Sequence, residues 1–218
     1  MKVIITGATG MVGEGVLHQC LLNNNIDEVL VVNRKPCGIN HQKLKEIIHP
    51  SFFDLKDIES ELTNYDACFF CLGVSSVGMK EAEYFKLTHT LTMHFAQTLV
   101  KLNSSMIFCY ISGASTDSTE MGKIMWARVK GKTENDLMKL PFKNVYNFRP
   151  AIITPIKGAK NTLKLYKYFG WLLPIIKIIF PNYIISLTQL GDAMINAATK
   201  GYPKQILEVS DIALLAKD

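Results

Sequence analysis

Short apolar runs alternate with amphipathic stretches along most of this chain. Residues 3–5 form a β-branched run that predicts a strand, and Val12, Val16 and Cys20 follow at the spacing of one helix face. Further strands are predicted at residues 28–34, 49–53, 65–73, 106–112, 144–148 and 205–209. Strands that alternate with helical patterns predict parallel βαβ units, and therefore an α/β fold with a doubly wound parallel sheet.

Helices are predicted where apolar side chains recur every three to four residues. They are expected at residues 38–48, 55–62, 84–102, from near 125 to 137, and at 190–199 and 211–216. Residues 113–123 read as a polar loop. Because no long linker divides the chain, residues 1–218 are expected to form a single domain.

A strongly apolar segment interrupts this pattern in the last third of the chain. Residues 164–185 are rich in Ile, Leu, Phe, Trp and Tyr, but Pro174, Lys177 and Pro181 break a run that is also too short to span a bilayer. We therefore predict no transmembrane segment. Residues 155–186 are expected to cap a pocket, to pair two subunits as a homodimer, or to lie on a membrane surface.

Composition and charge favour an ordinary cytoplasmic protein. The 218 residues are 48% hydrophobic and 20% charged, and the net charge of +5 is spread without a basic run, so nucleic acid is not indicated. Five cysteines without a secretory signal predict reduced thiols. No metal site is expected, because Cys68 and Cys71 point to opposite faces of a strand, while His89 and His94 are spaced five apart on a helix.

Three glycines follow the first strand at three-residue intervals. Gly7 is expected to let the chain leave the strand sharply, Gly10 to leave room for a diphosphate, and Gly13 to let the helix pack against the strand. Such a turn directs backbone N–H groups and the positive end of a helix at one small volume, which suits a phosphate. The alternative is a glycine-bearing turn that binds nothing.

The end of the second strand carries basic residues where dinucleotide folds contact the adenosine ribose. Asn33, Arg34 and Lys35 stand there without an acidic residue. An acid at this place accepts from the ribose 2′-hydroxyl and selects NAD, whereas an arginine holds the 2′-phosphate of NADP. We therefore expect a preference for NADP(H), with NAD(H) or a merely solvated basic turn as the alternatives.

Together these motifs resemble the short-chain dehydrogenase/reductase superfamily, in particular its atypical NAD(P)-dependent epimerase/dehydratase-like members, a branch that includes Tat-interacting-protein-like reductases. The similarity covers essentially the whole chain and rests on residues 6–13, 54–55, 71–73, 130, 134, 149–152 and 190–193. It implies a Rossmann fold that binds a dinucleotide cofactor.

The resemblance also implies which residues contact the cofactor beside Asn33, Arg34 and Lys35. These are Gly7, Ala8, Thr9, Gly10, Met11, Val12, Asp54, Leu55, Cys71, Leu72, Gly73, Lys130, Pro150 and Ile152. In that family an aspartate at the place of Asp54 faces the adenine amino group. Taken alone, Asp54 reads equally well as a helix cap.

The resemblance is incomplete where the superfamily carries its chemistry. There, a tyrosine four residues before a lysine acts as general acid or base, the lysine binds the ribose, and a serine orients the substrate carbonyl. Lys130 is present here, but Trp126 stands at the tyrosine position, and an indole N–H does not exchange a proton at useful pH. Ser112 and Ser115 are the candidate serines, while Gly113 aligns with the superfamily's serine.

Two functions of different classes follow from this pattern. The first is an NADP-dependent reductase, or a sugar-nucleotide-type epimerase or dehydratase, in which Tyr110, Ser115 or a bound water replaces the missing acid. The second is a non-catalytic protein that holds NADP(H) as a sensor or scaffold. The loops expected to line a substrate pocket, residues 74–80, 113–123 and 152–185, carry no recognisable specificity motif, so the small-molecule substrate is not predicted.

Overall fold

The computed structural model describes residues 1–155 and 183–217, which form parallel strands with helices between them. The strands are β1 (Lys2–Thr6), β2 (Glu28–Asn33), β3 (Leu44–Ile48), β4 (Ala67–Phe70), β5 (Ile107–Ile111), β6 (Asn144–Phe148), β7 (Ile152–Thr154), β8 (Ile184–Ser186) and β9 (Ile206–Leu207). The α-helices are α1 (Met11–Leu22), α2 (Glu81–Phe85), α3 (Leu91–Leu102), α4 (Met125–Leu137), α5 (Leu187–Lys200) and α6 (Val209–Leu215). A 3-10 helix covers Lys56–Leu62, and a π-helical segment, Lys86–Thr90, joins α2 to α3.

The main sheet of the described residues has the strand order β3-β2-β1-β4-β5-β6-β9, and its pairings are parallel. Two hydrophobic clusters cover its faces: one contains side chains of α1 and α5, and the other contains side chains of α3. This arrangement confirms the predicted doubly wound α/β fold. The chain direction across the sheet reverses between β1 and β4, and such switch points are where doubly wound sheets bind ligands.

Strands β1 and β4 read as continuous apolar runs because the sheet buries them on both faces. The β1 side chains from Val3 to Thr6 are buried, and so are all the side chains of β4. Cys68 belongs to one hydrophobic cluster and Cys71 packs against the other, so the two thiols face opposite sides of the sheet. Both central strands are therefore held by packing on two faces, and the loops of the candidate site follow their carboxyl ends.

The third strand differs from the sequence-based prediction. A helix is predicted at residues 38–48 and a strand at residues 49–53, but the structure has β3 at Leu44–Ile48 and no strand at 49–53. The predictions for these two segments are therefore wrong. Strand β3 lies at the sheet edge with Lys45 and Glu46 exposed, so its local sequence lacks the apolar pattern of a buried strand, and pairing with β2 decides its conformation.

The carboxyl-terminal third contains a small sheet that the sequence does not predict. Strands β7 and β8 pair in parallel, with Ile153 beside Ile185. The predicted cap or interface at residues 155–186 lies almost entirely outside the described residues, and the single-domain organisation stays a prediction. No helix within residues 1–155 and 183–217 has both the length and the apolar character that crossing a lipid bilayer requires.

Candidate functional site

Two glycines bring the β1–α1 loop close to neighbouring backbone. Gly7 has φ +73°, and a Cβ there would lie 2.8 Å from the carbonyl oxygen of Cys71 at the end of β4. A Cβ on Gly13 would lie 2.2 Å from the Gly7 carbonyl oxygen. Side chains at either position would push the loop away from β4 and from α1. The spacing recognised in the sequence therefore reflects two close backbone contacts.

The start of α1 is arranged as an anion-binding helix terminus. Gly10 is its N-cap, its N–H donates to the Gly7 carbonyl at 2.9 Å, and no side chain among the described residues caps the helix there. Among the described residues, the one atom within 4 Å of a Cβ on Gly10 would be the Gly7 carbonyl oxygen, at 3.4 Å. Because first-turn amides lack intrahelical partners, this end is suited to a phosphate group.

A cavity of about 400 Å³ opens beside this loop. It is lined by Gly7, Thr9, Asn33, Arg34, Lys35, Phe52 and Leu72. Asn33 is buried, whereas the side chains of Arg34 and Lys35 are exposed and form no ion pair with any described residue. The volume is in the range of small-molecule sites, and the two cations give it a positive charge that favours an anionic ligand.

An aromatic residue that the sequence analysis missed connects this cavity to a second one. Phe52 lines both, and the second cavity, of about 150 Å³, also includes Pro50, Phe53, Leu87 and Leu91. The Lys86 ammonium lies 5.6 Å from the centroid of the Phe53 ring. The missed signal was the adjacent aromatic pair after Pro50, which the wrong strand prediction at residues 49–53 had assigned to the sheet.

The other predicted cofactor residues do not line the larger cavity. Gly10, Met11 and Val12 lie at the start of α1, and Cys71 and Gly73 follow β4. Pro150 lies between β6 and β7, and Ile152 is the first residue of β7. The side chains of Ala8 and Leu55 pack in the hydrophobic core, so their backbone atoms would make the predicted contact with a cofactor, which stays a prediction. Asp54 is exposed, and its Oδ1 accepts from the Lys56 N–H at 3.3 Å, but the N-cap of the 3-10 helix is Leu55, so neither reading of Asp54 is decided.

Two of the predicted catalytic residues, Lys130 and Ser112, lie around the end of β5 and are hydrogen-bonded to backbone carbonyls. The Lys130 ammonium donates to the Ser112 carbonyl oxygen. The Ser112 hydroxyl is buried and donates to the Phe148 carbonyl at 3.1 Å. Burial lowers the pKa of Lys130 to about 8, against the opposing effect of the Glu134 carboxylate. Lys130 therefore loses its charge at a lower pH than an ordinary lysine does.

The proposed replacements for the missing acid differ in their access to solvent. Trp126 is half-buried one helical turn before Lys130, so the two side chains share a face of α4. Tyr110 is buried in the core, and burial raises the pKa of its phenol far above the ordinary value, so its proposed role as the acid is wrong. Ser115 is exposed with φ +67°, which leaves Ser115 or a water molecule as the alternatives.

A buried ion pair lies beside the predicted catalytic residues. Arg149, at the end of β6, donates through two nitrogens to the Glu134 carboxylate of α4, with Nε to Oε1 at 3.0 Å. Nη2 of Arg149 also donates to the Ser118 hydroxyl at 2.6 Å, and Nη1 donates to the Glu208 carboxylate at 3.1 Å. Glu134 has no exposed surface. Arg149 therefore joins α4, the polar loop and the start of α6 through charge-assisted hydrogen bonds.

Comparisons with known proteins agree with this geometry. The model of the NAD dependent epimerase/dehydratase family matches residues 3–119. A relative along almost the full length is "Protein FMP52-2, mitochondrial" of Scheffersomyces stipitis, which is 24% identical over 228 aligned positions covering 98% of this chain and 96% of the relative.

Solved structures with the same fold include nucleotide-sugar enzymes. The UDP-glucose 4-epimerase of Thermotoga maritima, solved with UDP-glucose, matches with a TM-score of 0.70 and 15% identity over 100% of this chain and 82% of the epimerase. The Bordetella bronchiseptica enzyme WbmF, solved with NAD+, matches with a TM-score of 0.68 and 15% identity over 99% of this chain and 76% of that enzyme. At this identity the likeness shows the fold.

Proposed function

This chain belongs to the NAD dependent epimerase/dehydratase family, and we propose that it binds NADP(H) in preference to NAD(H) and turns over carbonyl substrates slowly. The observation that carries the preference is the pair of cations, Arg34 and Lys35, which line the larger cavity without an ion-pair partner among the described residues. A 2′-phosphate would supply the negative charge that this pair lacks, and guanidinium–phosphate contacts are strong and directional.

The residues around the cavity fit the parts of a dinucleotide. The start of α1, where no described side chain caps the helix, suits the diphosphate. Phe52 and Phe53 line the second cavity, and an apolar aromatic lining suits a flat base. The bound cofactor would supply hydride transfer at its nicotinamide. The residues of this chain would hold the adenosine end and the diphosphate in place.

The test is a fluorescence titration of the purified protein with NADPH and with NADH. We expect NADPH to bind about tenfold more tightly, since one charge-assisted contact is typically of that size. Arg34→Ala should remove most of this difference, while Lys101→Ala, an exposed cation on α3, serves as the control for the loss of one charge. Equal or tighter binding of NADH by the wild type would refute the preference.

The slow turnover rests on the groups around Lys130. Trp126 supplies no exchangeable proton, and the Ser112 hydroxyl donates to the Phe148 carbonyl instead of pointing to a substrate. The same contacts favour a second candidate function, a non-catalytic protein that holds NADP(H) as a sensor or scaffold. A panel of carbonyl and sugar-nucleotide substrates separates the two: measurable turnover supports the reductase or epimerase, and its absence supports the binding protein.

We also propose a cytoplasmic location. The support is chemical: all five thiols are free, and three of them, those of Cys20, Cys68 and Cys109, are buried. The relative from Scheffersomyces stipitis carries the word "mitochondrial" in its name. Fractionation of cells that express the tagged protein distinguishes the cytoplasm from a mitochondrial compartment.

A further inference from the structure

The Glu46 side chain, on the strand next to β2, makes hydrogen bonds to both ends of the turn that carries Arg34 and Lys35. Glu46 stands on β3 opposite Val31 of β2, and its Oε1 accepts a hydrogen bond from the Cys37 N–H at 2.8 Å. Nδ2 of Asn33 donates to the same oxygen at 3.4 Å. Glu46 therefore joins both ends of the turn formed by residues 33–37.

The two ends of this turn are anchored and its middle is not. Asn33 is buried, and its carbonyl accepts from the His49 N–H at 2.8 Å. Cys37 is half-buried and packs against a hydrophobic cluster. Arg34 and Lys35 between them are exposed. A short exposed turn without a tether would sample many conformations, and ordering it on ligand binding would cost affinity.

We propose that Glu46 is a positioning residue that sets the preference for NADP(H), because its carboxylate holds the 33–37 turn so that Arg34 and Lys35 line the larger cavity. This inference rests on the proposed function, since it explains how the cations are held for a 2′-phosphate. Glu46 does not line the cavity and acts through Asn33 and the Cys37 amide. Preorganising the two cations raises affinity without adding a contact to the ligand.

The charge of the Glu46 carboxylate also acts in the opposite direction, against binding of NADP(H). An acid at the end of β2 selects NAD by accepting from the ribose 2′-hydroxyl, and a negative charge near a 2′-phosphate would weaken NADP(H) binding. In this structure Oε1 of Glu46 already accepts from two N–H donors, on a strand one further from β1. The contacts therefore favour positioning over repulsion, and the two roles predict opposite signs when the carboxylate is removed.

The experiment compares Glu46→Ala and Glu46→Gln with the wild type by titration with NADPH and NADH at one ionic strength. Glu46→Ala should weaken NADPH binding about tenfold and NADH binding less than about twofold, since only NADPH uses the cations. Glu46→Gln should keep most of the NADPH affinity, because its amide oxygen still accepts the Cys37 N–H. Glu28→Gln, at the other end of β2, controls for the loss of one negative charge.

A readout without cofactor tests the tether directly. Hydrogen exchange of the Cys37 amide should accelerate in Glu46→Ala and much less in Glu46→Gln, because the amide loses its acceptor only in the first. Unchanged exchange in Glu46→Ala would overturn the tether. If alanine destabilises the edge strand, Glu46→Thr keeps a strand-favouring residue and is too short to bridge the turn.

The outcomes separate this inference from the proposed function. A wild-type protein that does not prefer NADPH refutes the proposed function and, with it, the inference. A wild type that prefers NADPH, with the same preference or a stronger one in Glu46→Ala, refutes the positioning role alone. A selective loss of NADPH affinity in Glu46→Ala, together with retention in Glu46→Gln, supports it.

Discussion

The carboxyl ends of β1 and β2 differ from the end of β5 in whether the nearby polar groups already have partners within the described residues. At the ends of β1 and β2, the start of α1 has no side-chain cap, and Arg34 and Lys35 line a cavity without ion-pair partners among the described residues. At the end of β5, by contrast, Lys130 donates to the Ser112 carbonyl and the Ser112 hydroxyl donates to the Phe148 carbonyl. The end at β1 and β2 is available to an anionic ligand, and we call it the open end. At the β5 end the polar groups are hydrogen-bonded to backbone carbonyls, and we call it the closed end.

This difference shows that binding and turnover are separate demands on one fold. The glycine loop needs only close backbone contacts and free amides, which the open end provides. A proton relay needs an exchangeable group in contact with substrate, and Trp126 with Ser112 does not provide one. A chain can therefore keep the first property while it loses the second. The following changes would break or sharpen this contrast, and they are ordered by expected size.

The largest effect is expected from the ion pair beneath the closed end. Arg149→Met leaves the Glu134 carboxylate buried without its bidentate partner, which should lower the free energy of unfolding by about 3–5 kcal/mol. Chemical denaturation measures it. Arg128→Met is the matched control, because its partner Glu81 is exposed and the loss should be about 1 kcal/mol or less. Equal losses in the two variants would contradict the structural role of the buried pair.

At the open end, Gly13 should be required for folding and Gly10 for cofactor binding. Gly13→Ala places a methyl 2.2 Å from the Gly7 carbonyl oxygen and should cost about 3 kcal/mol of stability. In Gly10→Ala the new methyl has one neighbour among residues 1–155 and 183–217, at 3.4 Å, so the variant should fold normally. It should bind NADPH about tenfold more weakly, because the methyl enters the space for the diphosphate. Normal NADPH binding by Gly10→Ala would remove the diphosphate from this loop.

The closed end should gain activity from a single side chain. Trp126→Tyr restores a phenol one turn before Lys130 and should raise carbonyl reduction by roughly 10²-fold, which is the lower range for a positioned acid. Steady-state rates with NADPH and a carbonyl panel measure it. Trp126→Phe removes the indole without adding a hydroxyl and should not gain activity. A wild type that already reduces carbonyls rapidly, or a Trp126→Tyr variant with unchanged rates, would contradict the prediction.

The effect that is smallest over a single pH unit is a pH dependence of stability that comes from Lys130. Because its pKa is lowered to about 8 in the folded protein, the unfolded chain binds more protons between that pH and its ordinary value of 10.5. The wild type should therefore gain stability relative to Lys130→Met as the pH rises through this window, by at most about 1.4 kcal/mol per pH unit. Below pH 8 the difference should be flat. A difference that falls with rising pH would reverse the sign and exclude desolvation as the cause.

The sequence was a better guide to buried strands than to the edge of the sheet. Apolar runs predict β1 and β4 because both faces of these strands are buried, so each position carries the signal. Strand β3 carries Lys45 and Glu46 on exposed positions, and only its pairing with β2 makes it a strand. The wrong assignment of residues 49–53 then concealed Phe52 as a residue that lines the cavity.

By itself the sequence determined the features that depend on neighbours along the chain: the glycine spacing of the first loop, the basic end of β2 and the tryptophan four residues before Lys130. The tertiary structure decided which distant groups meet, such as Glu46 with the Cys37 amide, Lys130 with the Ser112 carbonyl and Arg149 with Glu134. The physical reason is that local patterns reflect backbone conformation and burial, whereas these hydrogen bonds depend on strand pairing and helix packing that no local pattern encodes.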